Sequence, residues 1–327
     1  MKKSVDIGFG YVKWTDSEQQ VLKRQALVTE IPLGALDSRS ELDTIIVDGV
    51  EYIIGKHEFV HLNVVPASST RNRVEDLEYK ILFLYPLAVQ ASGEDLKTDI
   101  VTGLPIQTME DEAPLLVDLF SDKEFDIEFR GSKFKISIDD VIVMPQGYAA
   151  NLYLLSSNPT LKKENVLVAD VGFQTVNYVY MQKGNVFNEL ADTHPSLGIG
   201  SAYDEIGKII NRRTRGVKNY TKYDVDSALD HGVTIINKNS QEEKLYFAED
   251  EEVLHVLDKQ ARNVWADIKW KYIDRGHLID KVVFLGGSSE RMENQLKENS
   301  LRKTLFPESP QDLQVLGYDM YARSTIS

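Results

Sequence analysis

One pattern occurs twice in this chain, roughly half its length apart: a strand-like run ending in Asp, one apolar residue, Gly, and a short turn into another strand-like run. The first copy is Asp6-Ile7-Gly8-Phe9-Gly10-Tyr11-Val12-Lys13; the second is Asp170-Val171-Gly172-Phe173-Gln174-Thr175-Val176-Asn177. In each, an aspartate at the strand end can hold a hydrated magnesium ion, and the glycine lets the turn's backbone amides face phosphate oxygens. Lys13 adds a point charge for a phosphate and Thr175 a hydroxyl donor. A single Asp-x-Gly turn is common and says little. Two of them, with a glycine pair after a strand at Gly286-Gly287-Ser288 and Pro145-Gln146-Gly147 between them, argue for a nucleotide site. Gln146 follows a strand and could orient a water toward a γ-phosphate.

A chain of 327 residues suits two domains with a cleft between them. Hydrophobic residues make up 42% and charged residues 27%, as in folded globular chains. No apolar run is long enough for a membrane helix, and Asp6 interrupts the start before any signal-type stretch, so a cytoplasmic protein with no membrane partner is expected. The absence of cysteine excludes disulfides and thiolate zinc sites. A net charge of -14 argues against direct nucleic-acid binding, leaving any link to DNA to an adaptor. The local exception is Lys208 to Lys222, with Arg212, Arg213, Arg215 and Lys218, which reads as a solvated helix end and loop or as a basic patch.

Alternating strand and helix signals give an α/β chain. Strands are expected over Lys3 to Phe9, Asp99 to Thr102, Val141 to Val143, Val166 to Asp170 and Lys281 to Leu285. Hairpins are expected at Thr44 to Ile54, turning at Asp48-Gly49, and at Phe125 to Ile138, turning near Arg130-Gly131. Tyr178 to Met181 is expected to pair with Val186 to Leu190. Pro145 fits the first turn of a helix continuing through Tyr148 to Leu155. Val256 to Tyr272 carries the apolar stripe of an amphipathic helix, with its tryptophans, Trp265 and Trp270, read as core. A further helix begins near Glu290, and the composition break at Ser156 to Glu164 marks a domain boundary.

One rival motif is His57-Glu58-Phe59-Val60-His61, which fits the H-E-x-x-H zinc pattern. It follows a hairpin, and Pro66 cuts any helix short, so a zinc site is not expected there. His194, His231, His255 and His277 are scattered singly. The acidic stretch Glu249 to Glu252 reads as a solvated face.

The ordered motifs resemble the actin, sugar-kinase and chaperone ATPase superfamily, and within it the ParM-type plasmid-segregation actins and archaeal actin-like proteins. Asp6 to Lys13 is similar to the first phosphate motif, Met144 to Gly147 to the first connecting motif and Asp170 to Asn177 to the second phosphate motif. Leu285 to Ser288 resembles the adenosine motif and Leu316-Gly317-Tyr318 the second connecting motif; Val101 to Pro105 resembles a ParM-type strand end. The resemblance implies two RNase-H-like domains with ATP, or alternatively GTP, and magnesium in the interdomain cleft. It implies domain I over residues 1–158 plus 305–327 and domain II over 159–304.

Carried over, Asp6 and Asp170 hold magnesium through water and, with Gln146, serve catalysis. Gly8, Gly10, Tyr11, Lys13, Gly172, Phe173, Gln174, Thr175, Asn177, Gly198, Gly200, Gly286, Gly287 and Ser288 line the nucleotide. The partners implied are further copies of the chain, in a head-to-tail filament, and an adaptor to DNA. Asn177 stands where relatives carry aspartate, which bears on hydrolysis more than binding. The alternatives are a slowly hydrolysing nucleotide-binding scaffold and a small-molecule kinase using a base such as Asp99 or Asp139.

Overall fold

The computed structural model describes residues 2–31, 44–55, 65–66, 73–215, 218–236 and 240–325. The first part of the chain forms β1 (Lys2–Ile7), β2 (Tyr11–Thr15), β3 (Val21–Gln25), β4 (Leu27–Ile31), β5 (Thr44–Val47), β6 (Val50–Ile54) and β7 (Val65–Pro66). It continues with α1 (Leu77–Ala91), β8 (Leu96–Leu104), α2 (Met109–Phe120), β9 (Lys123–Phe129), β10 (Ser132–Pro145) and α3 (Tyr148–Ser157). The second part forms β11 (Asn165–Val171), β12 (Val176–Gln182), β13 (Asn185–Val186), β14 (Asp192–His194), α4 (Gly200–Arg213), α5 (Val225–His231), β15 (Val233–Ile236) and β16 (Glu242–Leu245). It closes with α6 (Glu251–Ile268), β17 (Lys281–Leu285), α7 (Gly287–Arg291), α8 (Glu293–Glu298), β18 (Lys303–Leu305) and α9 (Leu313–Ser324).

The duplication visible in sequence is a duplication of topology. One sheet runs β3-β2-β1-β8-β10 and then onward to β7; the other runs β13-β12-β11-β17-β18. In both, an antiparallel hairpin carries the Asp-x-Gly turn, and its first strand is parallel to the next strand inward. Register is equivalent too, because Asp6 faces Lys13 across β1 and β2 while Asp170 faces Asn177 across β11 and β12. Two α/β domains follow, each with its own apolar core.

Helix α3 lies between them. Ala149 packs with Val101, Tyr318 and Ala322 beside the first sheet, while Ala150 and Leu154 join Val166, Val168 and Val179 beneath the second. Helix α9 crosses α3 and rests on β1 and β8, returning the end of the chain to the first sheet. Among the described residues, no helix is long and apolar enough to cross a membrane.

Several local expectations need revision. Val141 to Val143 is no separate strand: β10 runs through it, with a register break between Ile138 and Val141. Pro145 ends β10 rather than opening a helix, because Gly147 (φ +89°) turns the chain first and α3 begins at Tyr148. The return strand after β12 stops at Val186, and Asn188–Leu190 is a 3-10 turn. Helix α6 begins at Glu251, where the Asp250 side chain accepts from the amides of Glu252 and Val253. Trp265 is core, donating its indole N–H to Leu296 O at 2.8 Å, whereas Trp270 is 61% exposed. The His57 to His61 motif lies outside the described residues.

Candidate functional site

A cavity of about 440 Å³ opens where the two Asp-x-Gly hairpins face each other. It is lined by Asp6, Gly8, Phe9, Gly10, Tyr11 and Lys13 from one domain and by Asp170, Gly172, Phe173, Thr175 and Asn177 from the other. Gln146, Gly286, Gly287 and Ser288 also line it. The two loops are built alike: Gly8 N donates to Tyr11 O at 2.9 Å, and Gly172 N to Thr175 O at 2.9 Å. A Cβ on Gly8 would stand 2.9 Å from Tyr11 O, and one on Gly172 would stand 3.2 Å from Thr175 O. Glycine is what lets each loop close this tightly. Among the described residues, no protein acceptor takes the amides of Phe9 and Gly10 or of Phe173 and Gln174.

The charged groups converge at the hairpin ends. Lys13 Nζ lies 3.3 Å from Asp6 Oδ2, both well shielded. Asp170 keeps a little surface toward the cavity and is otherwise enclosed. Burial pushes its carboxyl up to about 6; Lys13 pulls it back and the charge of Asp6 raises it further. Gly286 (φ +84°) passes so close that its Cβ would meet Asp170 Oδ1 at 2.5 Å and Val171 O at 2.4 Å. Gln146 sits at the end of β10, its backbone N donating to Leu104 O at 2.8 Å. Its side-chain oxygen accepts from Asn177 Nδ2 at 3.4 Å, and Asn177 Oδ1 accepts from Thr193 at 2.8 Å. Asn177 thus takes up a neutral tether where an aspartate would bring charge.

Three of the sequence-derived residues do not line the cavity. Gly198 and Gly200 lie behind the second loop, donating to Gln174 O at 3.0 Å and Phe173 O at 2.8 Å. Gln174 turns away, its amide 3.4 Å from Pro195 O. Lys208 to Lys222 is not a free basic patch, since Arg212 and Arg213 pair with Glu252, Lys218 with Asp224 and Lys222 with Asp204. Glu252 therefore does more than solvate a face.

Residues with no motif around them supply the rest. Arg73 is 5% exposed, donates to Ile7 O and Gly8 O at 3.2 and 3.3 Å, and lies 4.1 Å over the Phe9 ring. At the far end of the cavity Asp226 accepts from Tyr11 at 3.3 Å and from Tyr203, with Arg291 at 3.5 Å. Burial, then the charge of Asp226, pushes the Tyr11 hydroxyl up, so it stays a donor. Arg291 also pairs with Asp230 at 2.6 Å. Only spatial neighbours reveal these residues: Tyr11 and Asp226 stand 215 positions apart.

The donors fit a nucleotide di- or triphosphate: unpartnered loop amides, the cavity-lining cations Lys13, Lys23, Arg73 and Arg291, and close-packed glycines. The two carboxylates fit magnesium held partly by water and phosphate, not a protein-caged metal. Among the described residues no group of three or more His, Cys, Asp or Glu is placed to hold an ion.

Residues 4–148 match the family model described as actin like proteins N terminal domain, and residues 168–298 match archaeal actin homologue MreB-like, C-terminal. The chain is an actin-like protein. The archaeal actin homologue Ta0583, solved in complex with ADP, superposes on this actin-like chain with a TM-score of 0.81 at 18% identity, covering 99% of this chain and 100% of that one. A 15-stranded ParM filament from Clostridium botulinum gives 0.78 at 18%, covering 99% of each chain. Bacillus thuringiensis ParM with AMPPNP gives 0.69 at 16%, covering 98% of each. At these identities the likeness is one of fold.

One curated protein, a malate dehydrogenase of Sulfurimonas denitrificans (strain ATCC 33889 / DSM 1251), is 29% identical over 114 residues. That is 34% of this chain, which spans about a third (36%) of that relative. The antiparallel hairpins β1–β2 and β11–β12 are foreign to the parallel dinucleotide-binding sheet of a dehydrogenase.

Proposed function

We propose that this actin-like protein binds ATP with magnesium in the interdomain cavity, hydrolyses it, and couples nucleotide state to head-to-tail assembly of its own copies. The observation that carries the reading is the pair of equivalent loops, with Phe9 and Gly10 of one and Phe173 of the other, their amides unpartnered, lining one cavity that also holds Asp6, Lys13, Asp170 and Gln146. Loop amides and Lys13 would hold the phosphates; Asp6 and Asp170 would hold magnesium through water. Magnesium, when bound, supplies charge neutralisation between phosphate oxygens. Gln146, whose side-chain oxygen accepts from Asn177, would turn its amide end to the attacking water. Residues 1–158 with 305–327 and residues 159–304 would move about the crossing of α3 and α9. A cytoplasmic filament for plasmid or DNA segregation, or for cytoskeletal organisation, with an adaptor reaching DNA, is the proposed setting.

The scaffold reading draws on one observation, the neutral Asn177 beside Gln146. The kinase reading loses ground because Asp99 and Asp139 do not line the cavity, and Asp139 pairs with Lys97 at 3.2 Å. The test is light scattering with simultaneous phosphate release after adding magnesium ATP, beside Gln146→Ala. Assembly followed by phosphate release, with Gln146→Ala assembling but hydrolysing slowly, is the expected result. Binding without scattering or turnover would replace the filament with a scaffold; turnover only with a hydroxyl acceptor would mean a kinase.

A further inference from the structure

The two loops are braced from behind by different means. Behind the second, the consecutive amides of Gly198, Ile199 and Gly200 donate to Gln174 O, Gly172 O and Phe173 O at 3.0, 3.1 and 2.8 Å. A Cβ on Gly198 would stand 2.4 Å from Phe173 O, so this backbone brace needs glycine. Behind the first, no such turn exists among the described residues. Arg73 donates one nitrogen to Ile7 O and Gly8 O at 3.2 and 3.3 Å, and Ala26 N donates to Gly10 O at 2.9 Å. In a trans peptide N–H and C=O point in opposite directions, so pulling Gly8 O back aims the Phe9 amide the other way. Pulling back Gly172 O and Phe173 O aims the amides of Phe173 and Gln174 in the same sense.

Arg73 also carries a charge in an unusual setting. It is 5% exposed, lines the cavity, and has a buried Nε with no partner. Glu112, the buried carboxylate beside it, accepts from the Arg73 backbone N at 3.1 Å rather than from the guanidinium. Among the described residues no carboxylate forms an ion pair with Arg73. Burial outweighs the pull of the nearby carboxylates Glu112, Asp6 and Asp76, none of them paired with the guanidinium, and an anion entering the adjoining cavity relieves the cost of that burial.

We propose that Arg73 is the phosphate-positioning residue of the first loop, orienting its amides and supplying the positive charge that a nucleotide's phosphates meet. This rests on the nucleotide reading above and assigns a side chain to the work that the Gly198 to Gly200 backbone does opposite. The test is titration of ATP, ADP and adenosine into the wild-type protein and Arg73→Lys, which keeps the charge but is shorter and loses the planar group that lies over Phe9 and reaches the loop carbonyls. ATP and ADP affinity should fall about tenfold while adenosine affinity changes less than about twofold. A merely structural Arg73 would lower the melting temperature and weaken all three ligands alike, which overturns the proposal.

Should Arg73→Lys fail to fold, wild-type amide exchange decides. ADP should protect the Phe9 amide, and no protection in the bound protein overturns the assignment. A wild-type protein that binds none of the three ligands overturns the nucleotide reading and this inference together. Unchanged affinities in the variant overturn the inference alone.

Discussion

Asp170 shows how one residue's surroundings become a measurable property. Its folded pKa of about 6 lies above the ordinary 3.8, chiefly through burial. The folded protein therefore holds this proton more tightly than the unfolded chain. The stability Asp170 contributes is fully present below the unfolded value and is lost as pH rises through the folded one. Without nucleotide, the melting temperature of the wild type should fall relative to Asp170→Asn between about pH 4 and 6. Parallel curves would exclude the shift. Gly286→Ala should cost about 1–3 kcal/mol in denaturant unfolding, from a left-handed backbone and a Cβ 2.5 Å from Asp170 Oδ1. Both aspartates and that glycine were legible in sequence, because each sits at a fixed offset from a strand end. Arg73 was not: in Arg71-Asn72-Arg73-Val74-Glu75-Asp76 it reads as one charge of a mixed surface run. Gly198 and Gly200 were legible as glycines but not in their role, which depends on carbonyls more than 20 residues away.

At the scale of elements, hairpins announced themselves through their turns and helices through their stripes, while boundaries set by tertiary contacts did not. Asp48 (φ +52°) with Gly49 (φ +80°), and Arg130 (φ +51°) with Gly131 (φ +79°), turn where the sequence placed them. The start of α6 was misjudged by five residues because its first two residues are acidic, yet it is fixed by a cap. Asp250→Ala should destabilise the protein by about 1 kcal/mol, with the loss of its 3.5 Å contact to Arg213 adding little at an exposed site. Urea unfolding against Glu251→Ala as a surface control measures the difference. The crossing of α3 and α9 is more exacting. A Cβ on Gly317 would stand 2.0 Å from Ala149 O, on backbone that cannot step aside. Gly317→Ala should cost about 1–3 kcal/mol or more by forcing the helices apart. Because those helices join the two domains, the same variant should also weaken nucleotide binding, and a stability loss with unchanged ATP affinity would separate the crossing from the cleft.

For the molecule as a whole, the side-chain hydrogen bonds that bridge the cleft among the described residues include Tyr11 to Asp226, Gln25 to Tyr223 O at 3.0 Å, Gln107 to Asp192 at 3.1 Å and to Thr193 O, Tyr148 to Asn188 and Gln146 to Asn177. All are exposed or only partly buried, each worth about 0.5–1.5 kcal/mol and those to a carboxylate somewhat more. Domain closure is therefore weakly held and open to control by a ligand that touches both sides. Assembly faces a second constraint, the net charge of -14. In the proposed head-to-tail assembly, approaching copies would repel one another, and salt shortens that repulsion from about 30 Å at 0.01 M to about 8 Å at 0.15 M. If polymerisation is driven by apolar and shape-matched surfaces, the critical concentration in magnesium ATP should fall as monovalent salt rises over this range. Pelleting at fixed nucleotide gives the answer. A critical concentration that rises steeply instead would mean that complementary charged ends, not overall repulsion, dominate the contact, and the interface should then be sought among the paired acidic and basic side chains at opposite ends of the molecule.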